Sequence, residues 1–497
     1  MKTVRPAMPD LLGSLNAPQR EAVLHGRGPL LVLAGAGSGK TRVIMHRMAH
    51  LMQQGVLPER LLGVTFTNKA ARQMRQRLSA LAGRGSGKVN LCTFHSLGLL
   101  IIKEAPEAAG VRPGFCIYDT SDQLSLIRDL LRQVKVADRR LDNGRILELI
   151  LSTKKKKLAE VALRWGDDYE MAAFDLYPRY VAQMRAYNAL DFDDLILRSQ
   201  QALADPQVGK HWAQRFDYVM VDEYQDTSAD QLALLQALCR LQQNICAVGD
   251  DDQAIYGWRG AVADNILGFG KTFAAAREVI LAQNYRSTGN ILRAANAIIA
   301  KNTARKGKSL FTADADGEPV HLVACGDEED EALFVCETLH KRHACGVPYR
   351  DMAVLYRSNV QSRAFEEVLR LEGVPYQVIG GQAFFDRKEV RDAMAYLAVL
   401  HNPGDEVALR RIVNVPPRGI GAQSLERLEA AAAAQGSSLW EAVCRAEEVP
   451  GLGRAARQGA ASLAQLLGEV GPRLKAASRG QAAAQAGELF ARLQLKE

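Results

Sequence analysis

The apolar positions of this chain follow two rhythms. Short apolar runs at 30–33, 218–221 and 245–248 are bounded by small or acidic residues and are too brief for helices, so each reads as a buried strand. Behind the first run, Ile44, Met48 and Leu51 recur at i, i+4 and i+7, which predicts a helix directly after the turn 34–39. Strand patterns return at 320–323, 352–356 and 376–379, again alternating with helices. The stretch 104–194 and everything beyond about 380 read as helical; the latter is Ala-rich, as in "LERLEAAAAAQ", which suits helix propensity better than disorder. No internal repeat interrupts this order. Strands alternating with helices predict an α/β fold.

Composition narrows the picture only a little. The 497 residues are enough for roughly three domains, and 47% hydrophobic with 24% charged residues places the chain among soluble globular proteins rather than disordered ones. No window reaches the roughly 18 apolar residues of a membrane span, and "MKTVRPAMPDLLGSL" lacks a signal-peptide core, so no membrane association and a cytoplasmic location are expected. Eight cysteines lie singly at Cys92, Cys116, Cys239, Cys246, Cys325, Cys336, Cys345 and Cys444. Without C-x-x-C or paired-His spacing they argue against disulfides, zinc or iron-sulfur clusters and for buried thiols. A net charge of +7 is compatible with a polyanionic partner.

Candidate chemistry begins at "LLVLAGAGSGKTRVIMHRM", which nearly spells the phosphate-binding loop G-x-x-x-x-G-K-[ST], with Ala34 in place of the first glycine. The run Ala36, Gly37, Ser38, Gly39, Lys40, Thr41 and Arg42 is the expected phosphate cradle: backbone N–H groups and a helix N-terminus surround the oxygens, Lys40 adds positive charge, and Thr41 offers a hydroxyl to magnesium. Ala34 is tolerable if its backbone needs no positive φ. "FDYVMVDEYQDTS" then supplies a strand ending in carboxylates, with Asp222 placed to hold magnesium and Glu223 to polarise water. A ligand-free glycine turn and an acidic surface turn are the plainer readings of these two segments. In "NICAVGDDDQAIYGWRGA", Gln253 can sense a terminal phosphate, while Tyr256, Trp258 and Arg259 suit stacking on unpaired bases; ordinary core aromatics are the alternative.

The series "LNAPQREAV", "AGAGSGKTRV", "VTFTNKAARQMRQRL", "CTFHSLG", "NALDFDDLI", "VDEYQDTS", "VGDDDQAIYGWRGA" and "LAQNYRS" resembles the Rep, UvrD and PcrA family of superfamily 1 DNA helicases, in which Ala34 is the usual residue. The resemblance implies RecA-like P-loop motor domains with inserted helical subdomains: 1–103 with 195–283 as domain 1A, 104–194 as 1B, 284–380 as the first part of 2A, and 381–497 as 2B. It implies that Gln19 reads adenine, Tyr285 stacks on it and Arg286 approaches the terminal phosphate from a second domain. Phe66, Thr93, His95, Phe192, Tyr256, Trp258 and Arg259 would meet DNA. ATP and Mg2+ are the implied cofactors; single-stranded DNA and single/double-strand junctions are the implied partners, with 3′ to 5′ movement. Lys154–Lys157 reads either as phosphate contacts or as a solvated charge run. Residues 401–497 contain neither the family's H-x-x-K-G-L-E segment nor its T-R-A segment, so the second RecA-like domain is expected to be incomplete and unwinding by this chain alone undetectable. A nucleotide-responsive DNA-binding module without sustained turnover is the alternative; a helicase-nuclease subunit would need an acidic metal site beyond the motor.

Overall fold

The computed structural model describes residues 10–83, 85–133, 141–155, 168–379 and 388–493. The chain forms two compact units, Met1–Val320 and His321–Glu497. The first is built on a six-stranded sheet of β1 (Leu30–Ala34), β2 (Leu61–Thr65), β3 (Asn90–Thr93), β6 (Tyr218–Val221), β7 (Ile245–Gly249) and β8 (Arg277–Leu281), ordered β3-β2-β6-β7-β1-β8. Every pairing is parallel. Parallel strands need helical crossovers on both faces, which is why the inner strands β1, β6 and β7 are apolar, whereas the edge strands β3 and β8 carry polar residues such as Asn90, Arg277 and Glu278. In β1, Leu30, Val32 and Ala34 enter one core, with Val43, Ile44 and Met48 of the helix Lys40–Gln53. Leu31 and Leu33 enter the opposite core, with Phe94, Leu97 and Leu234.

Register brings the strand ends together. Leu33 pairs with Gly249, and Val64 with Val221. Asp250 therefore follows β7 beside Ala34, and Asp222 follows β6 beside Thr65, its N–H donating to the Val64 carbonyl at 2.9 Å. The helix Ala17–Leu24 is held to the helix Lys40–Gln53 by buried Arg47, whose guanidinium donates to the Ala22 and Val23 carbonyls at 3.1 and 3.3 Å. A cation thereby satisfies carbonyls left open at a helix C-terminus.

The region 104–194 contributes helices Thr120–Gln133, Asn143–Lys155 and Asp168–Ala186, as its pattern predicts. It also forms a two-stranded parallel sheet, β4 (Cys116–Ile117) with β5 (Ala189–Leu190), which two-residue strands do not announce in sequence. Lys154 is neither solvated nor free for a phosphate: its ammonium lies 2.7 Å from both Asp191 and Asp194. Lys155 pairs with Asp193 at 3.1 Å, and Lys156 and Lys157 lie outside the described residues.

The compact units divide at 320/321, further along the chain than the 284 at which the second module is expected. Residues 284–320 belong to the first unit, tied to it by the bridge between Gln283 and Phe311 and by ion pairs from Arg305 and Lys308 to Asp252. The strands expected at 320–323, 352–356 and 376–379 are not formed. At 352–356 partial burial still alternates residue by residue, and Val354 and Tyr356 pack toward Phe365 and Leu369. Alternation specifies a face, whereas a strand also needs a hydrogen-bonding neighbour, and none pairs here among the described residues. The regular elements described in the second unit are helical, from Glu328–Ala344 to Arg479–Arg492; the expected boundary at 380/381 lies outside the described residues. No described helix is long and apolar enough to cross a membrane. None of the eight cysteines forms a disulfide, but Cys325, Cys345 and Cys444 are exposed, so the expectation of buried thiols holds for only part of the set.

Candidate functional site

The turn after β1 is shaped by two glycines with left-handed backbone, Gly37 (φ 67°) and Gly39 (φ 90°). A Cβ on Gly37 would sit 2.6 Å from Asn284 Nδ2 and 2.8 Å from Arg286 Cβ, and one on Gly39 2.9 Å from Gln19 Nε2. Both positions therefore need glycine for conformation and for closeness. Ala34 is fully buried at the end of β1 without positive φ, so its extra methyl introduces no strain. Ser38 Oγ donates to the Gly35 carbonyl (2.7 Å), and the Ala36 carbonyl accepts from Asn284 Nδ2 (2.6 Å). Arg42 donates to the Ser14 carbonyl (2.9 Å). Gln19 is buried; its Nε2 donates to the Ser38 carbonyl (2.9 Å) and its Oε1 accepts from the Asn16 N–H (3.2 Å), leaving one N–H and one lone pair of the amide uncommitted by these bonds.

Carboxylates from two further strand ends converge on this turn. Thr41 Oγ1 donates to Asp222 Oδ2 at 3.1 Å, and Lys40 Nζ lies 4.0 Å from Glu223 and 3.8 Å from Asp250. Burial pushes the Asp222 carboxyl up to about 6, with the Glu223 charge acting in the same direction. Asp226 is likewise raised to about 6 by burial and then by Glu223, and its Oδ1 is buried without a hydrogen-bond partner. Glu223 itself has φ 53°, a left-handed conformation that costs a non-glycine residue about 1 to 3 kcal/mol and marks many functional turns. Gln253 Nε2 donates to Asp250 Oδ2 at 2.6 Å. Tyr285 donates its backbone N–H to the Gly37 carbonyl (3.0 Å) and keeps its ring half exposed, with its hydroxyl accepting from Asn16 Nδ2 (2.8 Å). Arg286 is exposed beside Gly37, and its Cβ lies 2.8 Å from where a Cβ on that glycine would sit.

The remaining candidates also stand at carboxyl ends of strands, where open α/β sheets bind ligands. Phe66 follows β2, its ring 5.4 Å from Phe94. Thr93 ends β3 and caps the helix Phe94–Glu104, accepting from the Ser96 N–H at 3.2 Å, which is a sufficient structural reason for its type. His95 meets Phe192 edge-on at 5.7 Å; burial lowers its pKa against the opposing pull of Asp193, which favours the neutral ring. Phe192, Tyr256 and Trp258 are 52%, 37% and 71% exposed, so the core-aromatic alternative fails for the 256–259 loop. Arg259 lies over both of its rings, 5.2 Å from Tyr256 and 4.6 Å from Trp258.

Three residues that sequence reading passed over organise the site. Gln225 bridges the two acidic loops, accepting from the Asp250 N–H (2.9 Å) and donating to Glu223 (3.0 Å). Asp250 faces Lys40, and Asn284 holds the glycine turn after β1. Only Asp250 had a visible signal, since three successive carboxylates in "GDDDQ" demand counter-charge somewhere in the chain. The 250–265 loop is also stitched to the 222–228 loop by the Ser228–Ala261 bridge and by Asn265 Nδ2 donating to the Thr227 carbonyl at 3.0 Å.

The UvrD/REP helicase N-terminal domain matches residues 15–274, and the UvrD-like helicase C-terminal domain matches 279–443. The chain is similar to ATP-dependent DNA helicase PcrA of Staphylococcus aureus (strain Mu50 / ATCC 700699), 41% identical over 88% of this chain and 60% of that protein. The namesake from Bacillus subtilis (strain 168) is 42% identical over 87% of this chain and 59% of its own length. That of Staphylococcus epidermidis is 39% identical, over 92% and 63%. The chain thus spans about 60% of the length of the curated relatives it matches. With both domain models matching in chain order, the first over more than half of the chain, this protein belongs to the UvrD/REP helicase family.

Proposed function

We propose that the first unit is the ATP-hydrolysing part of a motor that moves 3′ to 5′ on single-stranded DNA and opens it at junctions with duplex. The observation that carries this reading is one connected cluster: Lys40, Thr41, Asp222 and Glu223 meet at the strand ends, and Gln225 joins them to the loop that exposes Trp258. The residues fit a magnesium-bound nucleoside triphosphate. Asp222 and Thr41 offer hard oxygen ligands, and the two acids at 222 and 226, both disfavoured as anions by burial, would be relieved by a cation. When bound, Mg2+ neutralises phosphate charge and orients the group being transferred.

The chain's own residues then divide the work. Gln19 offers its remaining amide edge to adenine and Tyr285 its exposed ring. Residues 36–42 surround the phosphates, with Lys40 leaving its carboxylate neighbours for them. Glu223 accepts a proton from water, while Gln253 and Arg286 respond to the terminal phosphate. Phe66, Thr93, His95, Phe192, Tyr256, Trp258 and Arg259 form the DNA face, where stacking tolerates any base. Residues 1–103 with 195–283 correspond in this reading to domain 1A, 104–194 to 1B, 284–380 to part of 2A and 381–497 to 2B.

A second reading, nucleotide-responsive DNA binding without sustained turnover, is favoured by the lack of any strand among the described residues of the second unit. Phosphate release with and without single-stranded DNA, run beside unwinding of a 3′-tailed duplex, separates the two. DNA-stimulated hydrolysis with strand separation supports the motor. Nucleotide-dependent DNA affinity with neither activity supports the second reading.

A further inference from the structure

The segment 302–311 carries a basic cluster that the proposed chemistry leaves unused. Lys308 is 6% exposed, and its ammonium lies 2.8 Å from Asp250 and 2.8 Å from Asp252 while also pairing with Asp251. Arg305 grips Asp252 through two bonds of 2.7 Å, and the Lys306 N–H donates to Asp251 at 2.7 Å. The three carboxylates are close enough together to hold a metal ion, but the Lys308 ammonium pairs with all three, so a protein cation serves them. Burial works against that ammonium, yet its three carboxylate bonds outweigh burial and hold its pKa above the ordinary lysine value. The same segment touches the phosphate turn: a Cβ on Gly35 would sit 2.0 Å from Leu310 Cδ2.

Asp250 has two lysines on its two oxygens, Lys308 on Oδ1 at 2.8 Å and Lys40 on Oδ2 at 3.8 Å. The nearer one takes most of its charge. We infer that Lys308 is a positioning residue that neutralises Asp250 and so leaves Lys40 available to a nucleotide phosphate. Without Lys308, Asp250 would have Lys40 as its nearest cation and would hold it back from the phosphates. This inference rests on the nucleotide-site reading and adds to it a residue far along the chain from any phosphate-loop motif.

The test is titration of a fluorescent ATP analogue with Mg2+ into the full chain and its variants, with cooperative thermal unfolding checked for each. Lys308→Met should weaken binding about tenfold or more, and Lys308→Arg should stay within about threefold of the parent. Adding Asp250→Asn to Lys308→Met should restore binding to within about threefold, the rescue being read where both variants unfold cooperatively at temperatures near the parent's. Undiminished binding by Lys308→Met, or failure of the second substitution to rescue it, would overturn the inference. If Lys308→Met does not fold, Asp250→Asn alone decides: affinity equal to or tighter than the parent supports the inference, and a tenfold loss overturns it. A parent chain that does not bind the analogue would overturn the nucleotide-site reading, and that is visible before any variant is compared.

Discussion

Burial disfavours the charged form of Asp222 and lifts its pKa from 3.8 to about 6, with Glu223 adding to the effect. The folded chain therefore holds this proton more tightly than the unfolded chain does. Its contribution to stability is fully present below pH 3.8 and is lost as pH rises through about 6. At about 1.4 kcal/mol per pKa unit, the carboxylate costs the protein on the order of 3 kcal/mol at neutral pH. Asp222→Asn should accordingly raise stability toward denaturant at pH 7.5 in buffer free of nucleotide and divalent cations, with the gain shrinking as pH falls from 6 to 4. A denaturant midpoint unchanged at both pH values would contradict this account of the site. Asp222 and Glu223 were legible in the sequence because an apolar run ending in two acids is an unusual local pattern. Gln225 was not, because an amide in a polar loop carries no pattern until its two partners are placed.

Strands and loops differ in how far the sequence discloses them. The runs at 30–33, 218–221 and 245–248 correspond to β1, β6 and β7 within one residue, because a strand buried on both faces must be apolar throughout. The run at 352–356 has the alternation of a strand and the half-burial, yet no ladder. Pairing depends on a neighbour that periodicity cannot report. The loop after β7 was readable for its aromatic content but not for its exposure, which decides between core and contact surface. Trp258 is 71% exposed and lies 4.6 Å beneath Arg259, an arrangement suited to stacking on a base. Trp258→Ala should therefore cost about 1 to 3 kcal/mol of single-strand affinity while leaving the salt dependence nearly unchanged, since no phosphate contact is removed. Titration of a labelled oligonucleotide at several salt concentrations measures both quantities. Unaltered affinity, or a markedly flatter salt slope, would count against stacking.

Across the whole chain, the two compact units divide at 320/321, while the two family matches divide between 274 and 279. Lys308 and Arg305 bind the segment through 311 to the acidic loop, a link between residues more than 50 positions apart that no local pattern announces. Residues 313–331 are all exposed and contain Glu318, Glu328 and Glu329. A glutamate-specific protease should therefore cut first in this stretch and leave the first unit intact, as mass spectrometry of early fragments would show; early cleavage at Glu278 would place the boundary wrongly. In the proposed motor, Lys40 serves phosphate binding and Glu223 serves the proton transfer of hydrolysis. The most direct measurement of these roles compares the parent with Lys40→Ala and Glu223→Gln, reading ATP-analogue affinity and DNA-stimulated phosphate release on the same preparations. Lys40→Ala should lose both, whereas Glu223→Gln should keep affinity within a few-fold and lose turnover by roughly 10²- to 10⁴-fold. Parental turnover by Glu223→Gln, or undiminished affinity in Lys40→Ala, would contradict them.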